Sequence, residues 1–108
     1  MSRIAIEGRI ADQPIAVVIG WDRPTQACFL QLELTEEDAD NEAFAVALEV
    51  SMDVMFKPLT ESEVQRNLQL AGVQIPPQAM TALREHVAAN AGNTSLKFNA
   101  AGICTQIS

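Results

Sequence analysis

The chain has 108 residues, 48% of them apolar and 19% charged, a globular balance and a length suited to one domain with one core over residues 1–108. Fourteen acidic against seven basic side chains leave a net charge of −7, which opposes binding to nucleic-acid phosphates and favours a basic protein surface as partner. No apolar run reaches the roughly 18–20 residues of a membrane-spanning helix, and polar and apolar residues alternate from the N-terminus onward, unlike a signal peptide; a soluble, cytoplasmic protein is expected.

In residues 3–10, Ile4, Ile6 and Ile10 occupy alternate positions opposite Arg3, Glu7 and Arg9, the period of a half-buried strand. Ala11, Asp12, Gln13 and Pro14 have turn chemistry, and the β-rich run 15–19 follows at once, so the two strands should form a hairpin. Gly20-Trp21-Asp22-Arg23-Pro24 then interrupts the pattern with the chain's one tryptophan. In residues 27–34, Cys28, Leu30, Leu32 and Leu34 share one face, with Phe29, Gln31 and Glu33 on the other. Consecutive strands with short links usually pair, which predicts a three-stranded antiparallel meander.

Residues 35–42 carry five carboxylates, Glu36, Glu37, Asp38, Asp40 and Glu42, and no positive charge, which predicts a solvated loop. Beyond it Phe44, Val46, Leu48, Val50, Met52 and Val54 alternate strictly and predict a fourth strand, although the alanines between them and the acidic lead-in also suit a helix start. Thr60 and Glu63 have the spacing of a capping box, so a helix should run over about 61–71, bury Val64, Leu68 and Ala71, and stop at Gly72. A second helix should begin at Pro76-Pro77 with Ile75 stapled to Met80, carry Met80, Leu83 and Val87 inward, and end near Gly92. Alternation through Leu96 and Phe98 predicts a strand over 95–99, and residues 103–107 suit a short edge strand. The expected fold is therefore α+β: an antiparallel meander of four to five strands with two consecutive helices on one face.

No pattern of catalytic residues stands out. The five glycines are scattered singly, so no phosphate-binding loop is present, and no Ser/His/Asp arrangement appears. Asp38, Asp40, Glu42 and Glu49 match positions 1, 3, 5 and 12 of a calcium-binding loop, but Ala43 occupies the position where the sharp turn needs glycine. His86 has no partner at metal-ligand spacing and is expected at the solvent edge near a helix C-terminus, where positive charge is favourable. Cys28 lies in an alternating apolar row and reads as a core thiol rather than a nucleophile. A non-enzyme without metal or cofactor is the expectation.

Binding candidates remain. Trp21 extends the apolar set of Ile15, Val17 and Ile19 and so closes one end of the core, or else Trp21 and Arg23 form an exposed recognition tip. Phe29, with Val18 beside it, makes an apolar spot on the sheet face away from Cys28 and Leu30, which either helices cover or a partner does. The carboxylates Glu36, Glu37, Asp38, Asp40 and Glu42 are the candidates for docking on a basic surface.

The order of Gly20-Trp21-Asp22-Arg23-Pro24, a strand holding Phe29-Leu30, then Gly72-Val73-Gln74-Ile75-Pro76 and Asn90-Ala91-Gly92-Asn93, resembles small uncharacterised bacterial proteins with a Gly-Trp-Asp-Arg-Pro turn. The resemblance implies that the turn is followed by a strand, two helices and a closing Gly-Asn segment, over about three quarters of the chain, and carries no functional residue across. The expected function is a small acidic interaction module, such as an inhibitor, immunity protein or accessory factor of a mobile element. A homodimeric secretion chaperone or scaffold is the alternative, and a small enzyme or ligand-binding domain the third.

Overall fold

The computed structural model describes residues 1–34, 41–55 and 57–107, with the backbone alone at Ala43. The chain runs β1 (Ser2–Ile10), β2 (Gln13–Asp22), β3 (Ala27–Leu32), α1 (Glu42–Val54), α2 (Glu61–Leu70), α3 (Pro77–Ala88), β4 (Thr94–Phe98) and β5 (Cys104–Gln106). The five strands form one sheet in the order β3-β2-β1-β4-β5.

The first three strands are the expected meander. Ile10 pairs with Gln13 across a two-residue turn in which Ala11 and Asp12 both have positive φ, the backbone twist that suits a tight hairpin. Pro14 therefore lies inside β2, opposite Arg9, and the turn is shorter than the sequence suggests. β2 returns through residues 23–26 to β3, with Asp22 opposite Ala27.

Two features differ from the expected fold. The sheet is mixed, because β4 runs parallel to β1, with Ser2 opposite Thr94 and Ile6 opposite Phe98. A parallel neighbour requires a long crossover, and the three helices between β3 and β4 supply it. The second correction is α1: residues 43–54 are helical, so the described residues hold three helices and not two. The alternating apolar set also contains a helical stripe, and Ala47, Ser51 and Val54 are buried at i, i+4 and i+7 while Phe44 and Val50 pack against the core. Alanine, leucine, glutamate and methionine favour helix, and Glu42 in the first turn complements the dipole. The cost is that Val46 and Met52 project into solvent.

α2 and α3 begin and end where local chemistry directs. The Thr60 hydroxyl accepts from the Glu63 N–H, and the Glu63 carboxylate accepts from the Thr60 N–H, so the capping box is complete. At its other end Gly72, at φ +72°, donates to Gln69 while Val73 donates to Leu68, a left-handed stop sealed by two buried side chains. Asn90 takes the corresponding place after α3 at φ +49°, with Asn90 donating to Val87 and Ala91 to His86.

Alternate residues of the strands, Ile4, Ile6, Val17, Ile19, Trp21, Cys28 and Leu30 among them, join Ala47, Val54, Val64, Leu68, Met80 and Leu83 of the helices in one apolar core. Each fully buried aliphatic side chain contributes roughly 1.5–3 kcal/mol. Two backbone bridges tie the connections to the sheet: Arg9 with Gln74 where β4 no longer flanks β1, and Cys28 with Leu59 at the outer edge of β3.

Candidate functional site: the sheet face around Phe29

Strand register places Ala5, Val18 and Gln31 side by side on the sheet face opposite the core set, with Lys97 on the other flank of Ala5. Phe29 lies on this same face, opposite Gly20. Val18 is only 4% exposed yet stands outside the continuous core, and Phe29 beside it is half-buried. The Phe29 ring lies over Gly20, where an added methyl would overlap both the ring and the Ser2 carbonyl oxygen. Glycine here is what lets the aromatic ring lie flat against the sheet.

A cavity of about 570 Å³ opens beside this patch, lined by Met1, Arg3, Val18, Phe29, Met55 and Pro58, with Lys57 and Asp22 also at its walls. A second cavity, about 470 Å³, runs along β1 and β2 and is lined by Arg3, Glu7, Arg9, Val18, Glu33 and Lys97. Arg3 belongs to both, and among the described residues its side chain makes no ion pair or hydrogen bond.

The other candidates from the sequence are dispersed. Trp21 is 7% exposed and sits in the core, on the opposite face from Phe29. Its Nε1–H donates to Asn90 Oδ1 at 3.1 Å, its backbone N–H donates to Ser2 Oγ at 3.0 Å, and Gln26 Nε2 donates to the same Asn90 oxygen at 2.8 Å. The ring thus fastens the β2–β3 turn to the end of α3. Arg23 is exposed in that turn, where its carbonyl accepts from Gln26. Glu36, Glu37, Asp38 and Asp40 lie outside the described residues, while Glu42 is exposed at the start of α1.

Neither Cys28 nor His86 is poised for chemistry. Burial pushes the Cys28 thiol up to about 11, with the Glu61 charge adding to the effect, so it is not a thiolate at neutral pH. His86 is half-buried with Nδ1 shielded and unpartnered among the described residues, and burial lowers its pKa below the ordinary 6.5 despite the opposing charge of Glu85. It is therefore neutral at pH 7, and half-buried rather than at the solvent edge expected from its place near a helix end. Among the described residues no group of three or more His, Cys, Asp or Glu side chains is arranged to hold a metal ion, and no helix is long and apolar enough to cross a membrane.

The sequence shows Phe29 and Val18 through alternation. It does not show Lys97 or Met55 joining them, because those placements depend on the parallel β1–β4 register and on the link between α1 and α2. No protein-family model, curated protein or solved structure matches the chain.

Proposed function

We propose that the protein is a non-catalytic interaction module in which the helices stand against one face of the sheet and the face bearing Phe29 and Val18 receives a protein partner. The observation that carries this reading is the apolar centre on that face: a buried valine and a half-buried aromatic ring outside the core, beside a cavity of about 570 Å³. Aromatic side chains ringed by polar groups are the usual centre of a binding hot spot. An inhibitor, immunity protein or accessory factor working in the cytoplasm is the role that fits the small size and the acidic charge. The acidic stretch that includes Glu36, Glu37, Asp38, Asp40 and Glu42 remains a candidate second contact, suited to a basic surface.

The test is copurification from the native host with wild type and with Phe29→Asp, after circular dichroism has shown that the variant folds. Loss of a specific partner from the variant supports the reading. Retention of every partner removes the sheet face from consideration.

A homodimeric scaffold or secretion chaperone is favoured by one separate observation. β5 is an edge strand whose three residues are all exposed, and the flanking Ile103 and Ile107 are 64% and 62% exposed, a surface suited to strand addition. Light scattering during size exclusion distinguishes this from the first reading, since a scaffold of this kind is a stable dimer.

A further inference from the structure

We infer that β5 pairs with β5 of a second copy of the chain, antiparallel and about a two-fold axis through Thr105, so that two sheets join into one. This rests on the alternative reading of β5 as an open edge and gives that edge its occupant and register. Phe29 lies on β3, at the opposite edge of the sheet, and takes no part.

β5 ends the strand order, with β4 on one side and no described strand on the other. At the far edge the N–H and C=O of Cys28 on β3 are already bonded to Leu59. Register fixes which groups of β5 look outward. Asn99 donates to the Ile103 carbonyl, Ile107 donates to the Ser95 carbonyl, and Thr105 lies opposite Lys97 between them, so residues 103, 105 and 107 turn their backbone groups toward β4. Alternate residues of an antiparallel strand point the other way, which directs the N–H and C=O of Cys104 and Gln106 to the outer side. Residues 99–107 contain no charged side chain and no proline, the usual means by which exposed edges are kept from pairing.

A two-fold axis at Thr105 suits both the backbone and the side chains. Each Cys104 then lies opposite Gln106 of the second copy as a hydrogen-bonded pair, and Thr105 meets its own counterpart as a non-hydrogen-bonded pair, where side chains approach most closely. Ile103 faces Ile107 of the second copy, and Ile107 faces Ile103. Both isoleucines stand on the same side of the sheet as Thr105, and in the single chain they are 64% and 62% exposed. The pairing gathers four isoleucines and two threonines, all β-branched, along one seam, the side-chain type that pairs best across strands. Moving the axis to Cys104 sets Ile103 against Thr105 and Ile107 against Ala101, and both isoleucine pairs are lost. Two chains of net charge −7 repel, so contact is least opposed where the edge itself carries no charge. An extended segment of an unrelated protein would use the same backbone groups, but nothing in this chain specifies its side chains.

Sedimentation equilibrium over a dilution series, with circular dichroism on every variant to show that it folds, tests the pairing. Wild type should reach twice the chain mass, and added salt should strengthen the association by screening the repulsion between like-charged copies. Ile103→Lys with Ile107→Lys sets like charges opposite each other across the seam and should weaken the dimer at least about tenfold. Ile103→Lys with Ile107→Glu sets opposite charges there and should restore much of the loss. The two positions are roughly 13 Å apart along one strand, so the rescue reads contact between copies. Thr105→Cys combined with Cys104→Ser should form an intermolecular disulfide with oxidised glutathione, whereas the two wild-type Cys104 residues, offset across the axis, lie beyond disulfide reach. A monomer at every concentration would overturn the inference and the homodimer reading with it. A dimer that survives the double lysine variant, or that crosslinks through Cys104 and not through Thr105→Cys, would keep the homodimer and overturn this pairing. Phe29→Asp should leave the mass unchanged; its conversion to monomer would place the contact at Phe29 and overturn the pairing as well.

Discussion

Gly20 bears the tightest steric constraint among the candidate-site residues. It sits where β2 passes beneath the Phe29 ring and beside the Ser2 carbonyl, and one of those obstacles is backbone that cannot swing aside. Gly20→Ala should therefore destabilise the fold by about 3 kcal/mol, at the upper end of overpacking costs, with a matching fall in the urea midpoint. Gly72→Ala has a different cause, since a methyl there meets nothing and only the positive φ resists it. His86 gives a pH signature. Its folded pKa lies below the unfolded 6.5, so the unfolded chain binds a proton first as pH falls, and stability is lost on going from 6.5 toward the lower folded value. As the chain's single histidine it dominates the interval above the carboxylate range. Urea midpoints should fall between pH 7.5 and 5.5 for wild type and stay level for His86→Gln; an equal fall in both would contradict the assignment. The sequence made Phe29 visible through alternation alone, and Trp21 as a core residue through its place at the end of the Ile15, Val17 and Ile19 row. It could not show the neutral state of His86, which follows from how the end of α3 is covered.

At the scale of elements, legibility followed the range of the deciding interaction. α2 and α3 were readable because Thr60, Glu63, Gly72 and the Pro76-Pro77 pair act within one turn of the residues they cap or stop. Thr60→Ala should cost about 1 kcal/mol, measured as a fall in unfolding free energy. Since Thr60 and Glu63 each satisfy the other's backbone N–H, the double replacement with Glu63→Ala should cost less than the sum of the two singles. A fully additive result would mean that the two bonds are independent. α1 was not readable, because Phe44 to Val54 fit period 2 along their whole length and a helical stripe through Ala47, Ser51 and Val54 as well. What separates the two is tertiary: a strand would need a neighbour in the sheet, whereas the helix lays Ala47 and Val54 into the core. The parallel pairing of β1 and β4 was hidden for a related reason. Nearest-neighbour pairing predicts hairpins, and nothing between residues 10 and 94 announces which side of β1 the returning strand will take.

For the whole molecule, the decisive property is the apolar centre that folding leaves on the sheet face outside the core. The composition alone pointed to a basic partner, since it sums all fourteen acids without regard to place. Folding gathers Arg3, Arg9, Lys57 and Lys97 around two adjoining cavities together with Asp22, Glu7 and Glu33, and Asp53 pairs with Lys57, so charges of both signs surround the apolar centre. The sheet face has an apolar centre, Val18 and Phe29, that can supply binding energy beyond steering. Binding at the sheet face should also weaken with salt, because Arg3 and Lys97 lie at its rim, while the contribution of Phe29 should persist. The central claim is that this face is where a partner binds. Chemical-shift mapping of the ¹⁵N-labelled chain, titrated with a peptide selected on it, tests that most directly: shifts should concentrate at Arg3, Ala5, Val18, Phe29, Gln31 and Lys97, and shifts centred on the exposed helix residues Val46, Met52 and Leu70 would contradict it.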